Sequence, residues 1–522
     1  MGVVVGKQFD VVYDDFSGGH FVGAVKVKQP RNTWVGANIA TDALDGTLIP
    51  LESFFSVVAN FTTATTGTAA NATRPIWFGS LNRILWATNL AINIIDVGAT
   101  PTIASIASAT APLVNSLPCV FGAEVLFPAA SAATLIRYAP YTAIVATNTV
   151  PAQMSRIISW GQFVFGVSTA QPYTVYFSNP GAAATWTATD TFNVGASASL
   201  VINGWCVHQG NLWFATNEGW FVATGIPNST LSVRQVTTIE TTADPVSIDT
   251  TIVSPGTTTS VLTSGDPVYA NSGIVRELAG SRTRVLNYAA SPDGREPVPM
   301  YELTRIGNHV IASSRANYGN VVDEGGASVN LGATLWILDI RSGVWTRRQL
   351  PAHTPKRLGV SPANTTALFY LTGSPDVENA WIARLSPSGL YANSDNTLPS
   401  ATVELAEYNH HTQFRVKEIL AEVDYGNPQG PVTNERSISV AVRASGNPLE
   451  NAQDLSLARS VSSTLLHVLP SYGQTGFNIT QRRSWVRFNP SDGSDTFTAS
   501  PIITLTGVKL RRVIMRCQEI SS

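Results

Sequence analysis

The sequence predicts an all-β protein, and three observations carry that prediction. No window of the 522 residues combines the i, i+3, i+4, i+7 apolar spacing of an amphipathic helix with caps at both ends. Short runs of β-branched and aromatic residues instead alternate with Gly, Asn and Pro, which is typical of strands joined by turns. In addition, one strand-like phrase recurs along the chain, so the strands are expected to form a repeat.

The recurring phrase consists of a polar turn, a short apolar run and a small residue. Its copies are NRILWAT at 82–88, GQFVFGV at 161–167, GNLWFAT at 210–216 and GNHVIAS at 307–313. A degenerate copy and two further hairpins are predicted at 267–278, 335–349 and 368–385. A β unit that recurs about every 40–50 residues is typical of a β-propeller, in which each unit forms one four-stranded blade. The alternative is a set of β-sandwiches whose strands merely look alike.

Several tryptophans lie within these phrases. They are Trp86, Trp213, Trp336, Trp345 and Trp381. Because their neighbours are apolar, we expect these side chains to pack between blades rather than to form a sugar-binding platform.

Changes in composition divide the chain into three parts. Residues 1–58 combine short apolar pieces with Gly-, Pro- and Asp-based turns, which predicts an extended N-terminal arm without a core of its own. Residues 59–394 contain the β-propeller-like repeat domain. A stretch near 395 has the Ser, Asn, Pro and Gly content of a linker, and residues 395–522 include strictly alternating strands such as Ser437–Arg443. We therefore expect a small C-terminal β-sandwich-like module.

Charge is scarce, which limits the classes of function. Only 13% of the residues are charged, and 33 cations against 35 anions give a net charge of −2. This balance excludes a basic protein that coats nucleic acid, and it suits a protein held within an assembly. Three widely spaced cysteines support neither a disulfide framework nor a zinc site. No run of about 18 apolar residues exists, so no transmembrane helix is expected.

The sequence lacks the common motifs of catalysis. It has no GxSxG nucleophile elbow, no P-loop and no HExxH zinc motif. A propeller glycosidase would need paired carboxylates, and no pair stands out among the few acidic residues in the middle of the chain. The adjacent His410 and His411 are expected to point to opposite faces of a strand, which argues against a metal site there. We therefore predict no enzymatic activity, no catalytic residue, no cofactor and no metal.

Basic residues cluster in the final strands of the C-terminal module. Arg511, Arg512 and Arg516 are the candidate docking residues, because such a cluster could face a partner protein or nucleic acid. The alternative is that they only form the charged outward faces of ordinary strands. The low net charge favours passage of nucleic acid over tight binding, since affinity for phosphates grows with the number of cations that neutralise them.

Several segments resemble bacteriophage tail proteins. The opening motif DFSGG consists of Asp15, Phe16, Ser17, Gly18 and Gly19. It resembles the opening of many tail proteins, and the segments 34–38 and 44–50 are similar to the next pieces of that opening. The phrases SRIISWGQFVFGV, PYTVYFSNPGAAATW and HQGNLWFATNEGWFVATG resemble two successive blades of tail propellers. The closing strands FRVKEI, SISVAV, RRSWVRF and GVKLRRVIMRC are like the C-terminal β module of that family.

The resemblance implies a virion structural protein of the nozzle, tail-knob or tail-tube family of short-tailed phages. Such a chain is expected to form a homo-oligomeric ring, usually a hexamer, that extends the portal and adaptor channel for DNA ejection. Its partners are then other tail or adaptor proteins, together with viral DNA that passes through the lumen without sequence-specific binding. Its location is the tail of the virion, after synthesis in the cytoplasm of the host bacterium. Two alternatives stay open here: a tail protein that binds a host receptor or glycan, and a propeller glycosidase.

Overall fold

The computed structural model shows a chain built of β-strands. It describes residues 6–20, 30–36, 38–42, 46–51, 55–56, 72–88, 91–96, 102–114, 116–238, 268–271, 274–279, 282–287, 302–306, 309–313, 320–322, 328–330, 334–339, 342–349, 355–361, 367–373, 378–384, 398–425, 437–445, 455–457, 463–464, 482–488 and 495–520. Within these residues the one helical element is a 3-10 turn at Gly79–Leu81. The all-β prediction is confirmed. The predicted linker near 395 lies largely outside the described residues.

Six short strands precede the repeat. They are β1 (Gln8–Tyr13), β2 (Gly19–His20), β3 (Thr33–Gly36), β4 (Ile39–Thr41), β5 (Leu48–Pro50) and β6 (Phe55–Ser56). They do not form one local sheet by themselves, because β1, β3 and β5 each pair with a strand from the far end of the chain.

Seven antiparallel sheets then follow one another through the described residues, and we call them blades 1 to 7. Blade 1 has β7 (Ile76–Phe78), β8 (Arg83–Thr88), β9 (Ala91–Asp96) and β10 (Thr102–Ala107). Blade 2 has β11 (Cys119–Phe121), β12 (Glu124–Pro128), β13 (Thr134–Ala139) and β14 (Ile144–Thr149). Blade 3 has β15 (Met154–Trp160), β16 (Phe163–Ser168), β17 (Thr174–Asn179) and β18 (Ala182–Asn193). Blade 4 has β19 (Ile202–His208), β20 (Asn211–Thr216), β21 (Gly219–Thr224) and β22 (Ser232–Thr237).

The remaining blades depart from the simple four-stranded plan. Blade 5 has three described strands, β23 (Val268–Asn271), β24 (Ile274–Ala279) and β25 (Arg282–Asn287). Blade 6 has β26 (Glu302–Ile306), β27 (His309–Ser313), β30 (Thr334–Asp339) and β31 (Val344–Gln349), with a separate hairpin, β28 (Asn320–Val322) and β29 (Ser328–Asn330), inserted between its second and third strands. Blade 7 has β32 (Pro355–Ser361), β33 (Ala367–Gly373) and β34 (Glu378–Arg384), and its outermost strand is β6 from the N-terminal segment.

The recurring phrase of the sequence is the second strand of its blade. The four copies correspond to β8, β16, β20 and β27. In β20 every residue after Asn211 is buried, because this strand has a neighbouring blade on each face. A tight turn precedes it, and Gly210 has φ of +75°, a conformation that glycine adopts without strain. The apolar run and the polar turn thus explain why the phrase recurs.

The blades are arranged around a ring. The first strands of successive blades contact one another, as β11, β15 and β19 do on one side and β23, β26 and β32 on the other. The first strand of blade 7, β32, also contacts β7, the first strand of blade 1. This closes the ring, and pairing of Ile382 and Trp381 with Phe55 and Ser56 ties the N-terminal segment into the last blade. The predicted β-propeller-like repeat is confirmed.

The tryptophans of the repeat pack as expected where their side chains are described. Trp86, Trp213, Trp336 and Trp345 are all buried, with at most 9% of the residue exposed. The side chain of Trp381 lies outside the described part of the structure. The rings therefore fill space in and between blades.

The C-terminal module is one sheet of thirteen strands among the described residues. Its later strands are β35 (Ser400–Leu405), β36 (Tyr408–Tyr425), β37 (Ser437–Ser445), β38 (Leu455–Leu457), β39 (Ser463–Thr464), β40 (Arg482–Phe488), β41 (Thr496–Thr506) and β42 (Lys509–Glu519). The main path runs β2-β3-β35-β41-β36-β42-β5-β4, and β4 also contacts β2 and β35, so the sheet nearly closes on itself. As predicted, β37 alternates, and Ile438, Val440 and Val442 face the core.

The first five strands, predicted as an extended arm, belong to this same sheet. β1 pairs along its whole length with β42, and β3 pairs with β35. Tyr13, Phe16 and Trp34 are buried in the module core together with residues of β36, β41 and β42. Burial of the Tyr13 phenol raises the pKa of this group, and its Oη donates a hydrogen bond to the Ala406 carbonyl at 2.8 Å. The arm therefore has a core only jointly with the C-terminal strands of its own chain.

Cys119, Cys206 and Cys517 are all buried thiols. Burial raises the pKa of the Cys119 thiol and raises that of Cys517 to about 12, so neither forms the nucleophilic thiolate near neutral pH. We expect a thiol reagent to modify none of the three in the native protein at mildly alkaline pH, and all three after unfolding in denaturant. Absorbance of the released reagent measures this, and full labelling of a cysteine in the native state would contradict the burial described here.

Candidate docking face

The predicted docking residues lie on one outward face of the C-terminal module. This face, which we call the docking face, is formed by the outward side chains of β1, β42, β36 and β40, in that order across the sheet. Apolar residues of the same strands, such as Met515 and Ile419, point the other way into the core. The alternation along β42 therefore places Arg512, Ile514 and Arg516 on the outside.

Arg516 lies between two carboxylates on neighbouring strands. It is directly opposite Asp10 of β1 and Glu418 of β36 in the strand register. Its Nη1 donates to Glu418 Oε2 at 2.7 Å, and its Nε lies 3.7 Å from Asp10 Oδ1. Arg487 of β40 reaches the same Glu418 from the opposite side. The charges thus alternate from strand to strand. Asp10 and Arg516 are both about half exposed, and an exposed pair of this kind contributes about 0–1 kcal/mol, whereas Glu418 is buried between its two guanidinium partners.

Arg511 and Arg512 differ in depth. Arg512 is opposite Glu422, with 3.9 Å between Nε and Oε2, and its side chain is 43% exposed. Arg511 instead donates from Nη2 to Asp424 Oδ2 at 2.7 Å, and Asp424 is fully buried. Arg511 is therefore tied to the interior, whereas Arg512 and Arg516 face outward where a partner could reach them.

An apolar row crosses the docking face between the charged rows. Val12, Ile514 and Leu420 are directly opposite one another on β1, β42 and β36. Val12 is 39% exposed, and Trp485 on β40 is 48% exposed one row away, opposite Glu422. Exposed tryptophan, arginine and aliphatic side chains next to one another are typical of the energetically important part of protein–protein interfaces. Trp485 was not among the predicted docking residues, although the alternation in RRSWVRF could have indicated that it faces outward.

Most guanidinium groups of the docking face are already paired. Arg487, Arg512 and Arg516 each lie beside a carboxylate of Asp10, Glu418 or Glu422, and Lys417 of β36 is a further exposed cation. Strong binding of nucleic acid depends on cations that can neutralise phosphates, and paired guanidinium groups are less able to do so. The arrangement therefore suits a protein partner better than nucleic acid.

The DFSGG motif connects the module to blade 6. Phe16 is buried in the module core, and Asp15 Oδ1 accepts a hydrogen bond from the Ser17 amide at 2.9 Å. Hydrogen bonds from Ser17 also lower the pKa of the exposed Asp15 carboxyl. Gly19 has φ of +68° and packs against β31, where a Cβ atom would lie 2.0 Å from Val344 Cγ1. The Asn38 amide also donates to the carbonyl of Arg347 in β31 at 2.9 Å. In the two family-like segments after the motif, residues 37, 44 and 45 lie outside the described part.

The two adjacent histidines are placed differently from the prediction. The expectation that His410 and His411 point to opposite faces is wrong, because their ring centroids are 4.3 Å apart. The pairing of β36 with β41 is irregular between Asn409 and Phe414, and this removes the strict alternation of a flat strand. His410 also stacks on Phe9 at 4.7 Å. Even so, no three His, Cys, Asp or Glu side chains of the described residues come together in a way that could hold a metal ion.

The comparisons with known proteins concern the fold alone. No protein-family model matches the chain. A search of curated proteins finds no match either. Within the residues that the structure describes, no helix has the length and hydropathy needed to cross a membrane.

Solved structures that are similar include several propellers. The β-propeller domain of Cps50 (Swd1) from Myceliophteria thermophila matches with a TM-score of 0.41 and 10% identity, over 62% of this chain and 98% of that one. The structure of YCF48 bound to D1 peptide matches with a TM-score of 0.38 and 11% identity, over 65% of this chain and 98% of that one. BamB from Moraxella catarrhalis matches with a TM-score of 0.35 and 11% identity, over 63% of this chain and 99% of that one. Because these TM-scores are below 0.5, they carry no argument about function, and the architecture rests on the strand pairing described above.

Proposed function

We propose that this chain is a structural subunit of a bacteriophage tail, of the nozzle or tail-tube kind. In this proposal it forms a homo-oligomeric ring, usually sixfold in the family that it resembles, which extends the channel for DNA ejection. The proposal starts from the resemblance of the DFSGG motif, the blade phrases and the closing strands to tail proteins. It includes no catalytic role, and it locates the chain in the tail of the virion after synthesis in the host cytoplasm.

The observation that carries the proposal is the chemistry of the docking face. The apolar row of Val12, Ile514 and Leu420, with Trp485 beside it, offers area that is stabilised when a protein covers it. The alternating charges around this row can set the orientation of a protein partner. We assign this partner to the neighbouring tail or adaptor protein.

The DFSGG motif supports the proposal because it fixes the C-terminal module against the propeller. A tail component must transmit the position of one layer to the next without bending at its own domain boundary. Phe16 is anchored in the module core, and three residues later Gly19 lies against blade 6. The module and the propeller are therefore held together through a short, tightly packed segment.

The proposal is tested first by locating the chain. An antibody against the purified protein should label the tails of the phage particles that encode it, as seen by electron microscopy of intact virions. Label that is absent from the particles, or that lies on the capsid, would contradict a role as a tail subunit.

The docking face is tested by one pair of variants. Trp485→Asp is expected to lower incorporation of the chain into particles by about tenfold or more, because loss of a central tryptophan and burial of an unpaired carboxylate both weaken an interface. Ile226→Asp is the matched control, since Ile226 is another exposed apolar residue, 58% exposed, on a turn of blade 4. Complementation of a phage that lacks the gene, followed by quantitative immunoblotting of purified virions, measures both. Equal incorporation of the two variants would refute the docking face.

A further inference from the structure

The surface of blades 2 to 4 is almost free of charge. The continuous segment 119–237 contains six charged residues in 119 positions, whereas residues 398–522 contain 23 in 125. Of these six, Glu124 and Arg137 pair with each other, and Arg234 is the one that is exposed. A surface that keeps a protein dispersed in water usually has about a quarter to a third of its residues charged. This side of the propeller therefore lacks the usual protection against association.

Most of the outer blade strands nevertheless have protected edges. Strand β18 carries Asp190 and two register irregularities, and β22 carries Arg234 and one. Strand β25 contains Arg282 and Arg284. Strand β31 contacts β2 and β4 of the C-terminal module. Charges, irregular pairing and covering elements are the devices that prevent the edge of a sheet from pairing with another chain.

Two neighbouring outer strands have none of these devices within the described residues. β10 reads TIASIA and β14 reads IVATNT, without a charged residue or a proline. Each pairs with its inner neighbour in an unbroken register, and neither pairs with a further described strand. Ile144, which begins β14, is 57% exposed. A regular edge of β-branched and small residues is the preferred template for addition of another strand.

Blades 1 and 2, which carry the two open edges, are held together. Arg83 of blade 1 donates from Nη1 to the carbonyl of Pro140 in blade 2 at 3.0 Å. The rings of Phe78 and Tyr141 pack edge to face across the same junction, with centroids 5.8 Å apart. One hydrophobic cluster contains residues of both blades. Ile106 of β10 and Val145 of β14 both pack against this cluster, so the two edge strands are already ordered before a partner strand binds.

We propose that this edge surface, defined as β10 and β14, pairs by strand addition with a second copy of the chain. Backbone hydrogen bonds supply the attraction, and these need no charge on either side. A charged partner would lose hydration against a surface that offers no counter-charge, whereas a second copy brings the same uncharged edge. The inference deepens the proposed function, on which it rests, by naming the surface through which subunits contact each other.

The test places a charged residue on each of the two edge strands, which now have none. The double variant Ala104→Lys/Ala146→Lys places one lysine at an exposed position of each strand. It is expected to weaken self-association by about 100-fold or more, since an unpaired ammonium would become buried against an uncharged strand. Ser232→Lys is the control, because Ser232 is exposed on β22, an outer strand that already carries Arg234. Sedimentation velocity of the full chain over a wide concentration range measures association, and circular dichroism shows that the variants fold.

The outcomes separate this inference from the proposed function. A wild-type assembly that the control retains and the double variant loses supports the edge surface. A wild-type chain that is monomeric at every concentration overturns it, as does a double variant that assembles normally. Amides of β14 should also exchange hydrogen more slowly as the wild-type concentration rises. Tail labelling together with a normally assembling double variant rejects the edge surface alone, whereas edge-dependent assembly without tail labelling rejects the tail function alone.

Discussion

Replacing Gly19 with alanine is expected to lower the free energy of unfolding by about 3 kcal/mol or more. The residue has φ of +68°, where a Cβ atom is strained, and that atom would lie 2.0 Å from Val344 Cγ1 and 3.1 Å from the Trp345 carbonyl oxygen. Because Val344 is β-branched and part of β31, it has little freedom to move aside. The segment after Phe16 would have to shift away from blade 6.

Gly46 provides a matched control for this variant. Its φ of +71° is nearly the same, but no atom lies within 4 Å of the position of its Cβ. Gly46→Ala is therefore expected to cost only the backbone strain, about 1–2 kcal/mol. Urea unfolding followed by tryptophan fluorescence measures both variants, since Trp34 and Trp345 are buried in the module and in blade 6. Equal destabilisation by the two alanines would show that the contact with β31 contributes nothing.

Replacing Lys509 with methionine is expected to destabilise the protein by about 3–5 kcal/mol. Lys509 Nζ donates to Asp42 Oδ2 at 2.6 Å, and both residues are almost completely buried. Removal of the cation leaves the Asp42 carboxylate in the interior without this compensating charge. The double variant Asp42→Asn/Lys509→Met should recover a large part of the loss, because it removes the buried charge as well.

The same denaturation measurement applies, with Arg512→Met as the control. Arg512 faces Glu422 at 3.9 Å with much of its side chain exposed, so its removal is expected to change stability by about 1 kcal/mol at most. A double variant no more stable than Lys509→Met would show that packing of the lysine stem, and not the buried charge, stabilises this site.

The propeller could be predicted because its signal is local. A second strand such as β20 is buried on both faces, so its apolar run and the preceding turn stand out in the sequence. The recurring phrase is not recognisable in blade 2, because its second strand EVLFP is short and ends in Pro128. The closure of the ring by Phe55 and Ser56 could not be predicted, since two residues that pair with Ile382 and Trp381 form no pattern of their own.

The sequence alone indicated the basic residues of the docking face but not the residues that pair with them. The cluster of Arg511, Arg512 and Arg516 is obvious, but the partners that neutralise it are Asp10, Glu418, Glu422 and Asp424 on two distant segments. No local pattern indicates that β1 lies beside β42. The apolar row has the same origin, because Val12 and Ile514 meet only through that pairing. Local patterns along a chain do not reveal surfaces that are formed by strands far apart in sequence.

The C-terminal module can fold only after its N-terminal strands meet its last strand, β42. Asp42 and Lys509 are 467 residues apart, so the ribosome must finish nearly the whole chain before the N-terminal strands find their partners. At about 5–20 residues per second this leaves the first strands waiting for roughly 25–100 s. The docking face consists of β1, β42, β36 and β40, and a chain that terminates early lacks it. Translation itself thus provides a quality control, since a truncated product cannot present the docking face that we propose for a neighbouring tail or adaptor protein.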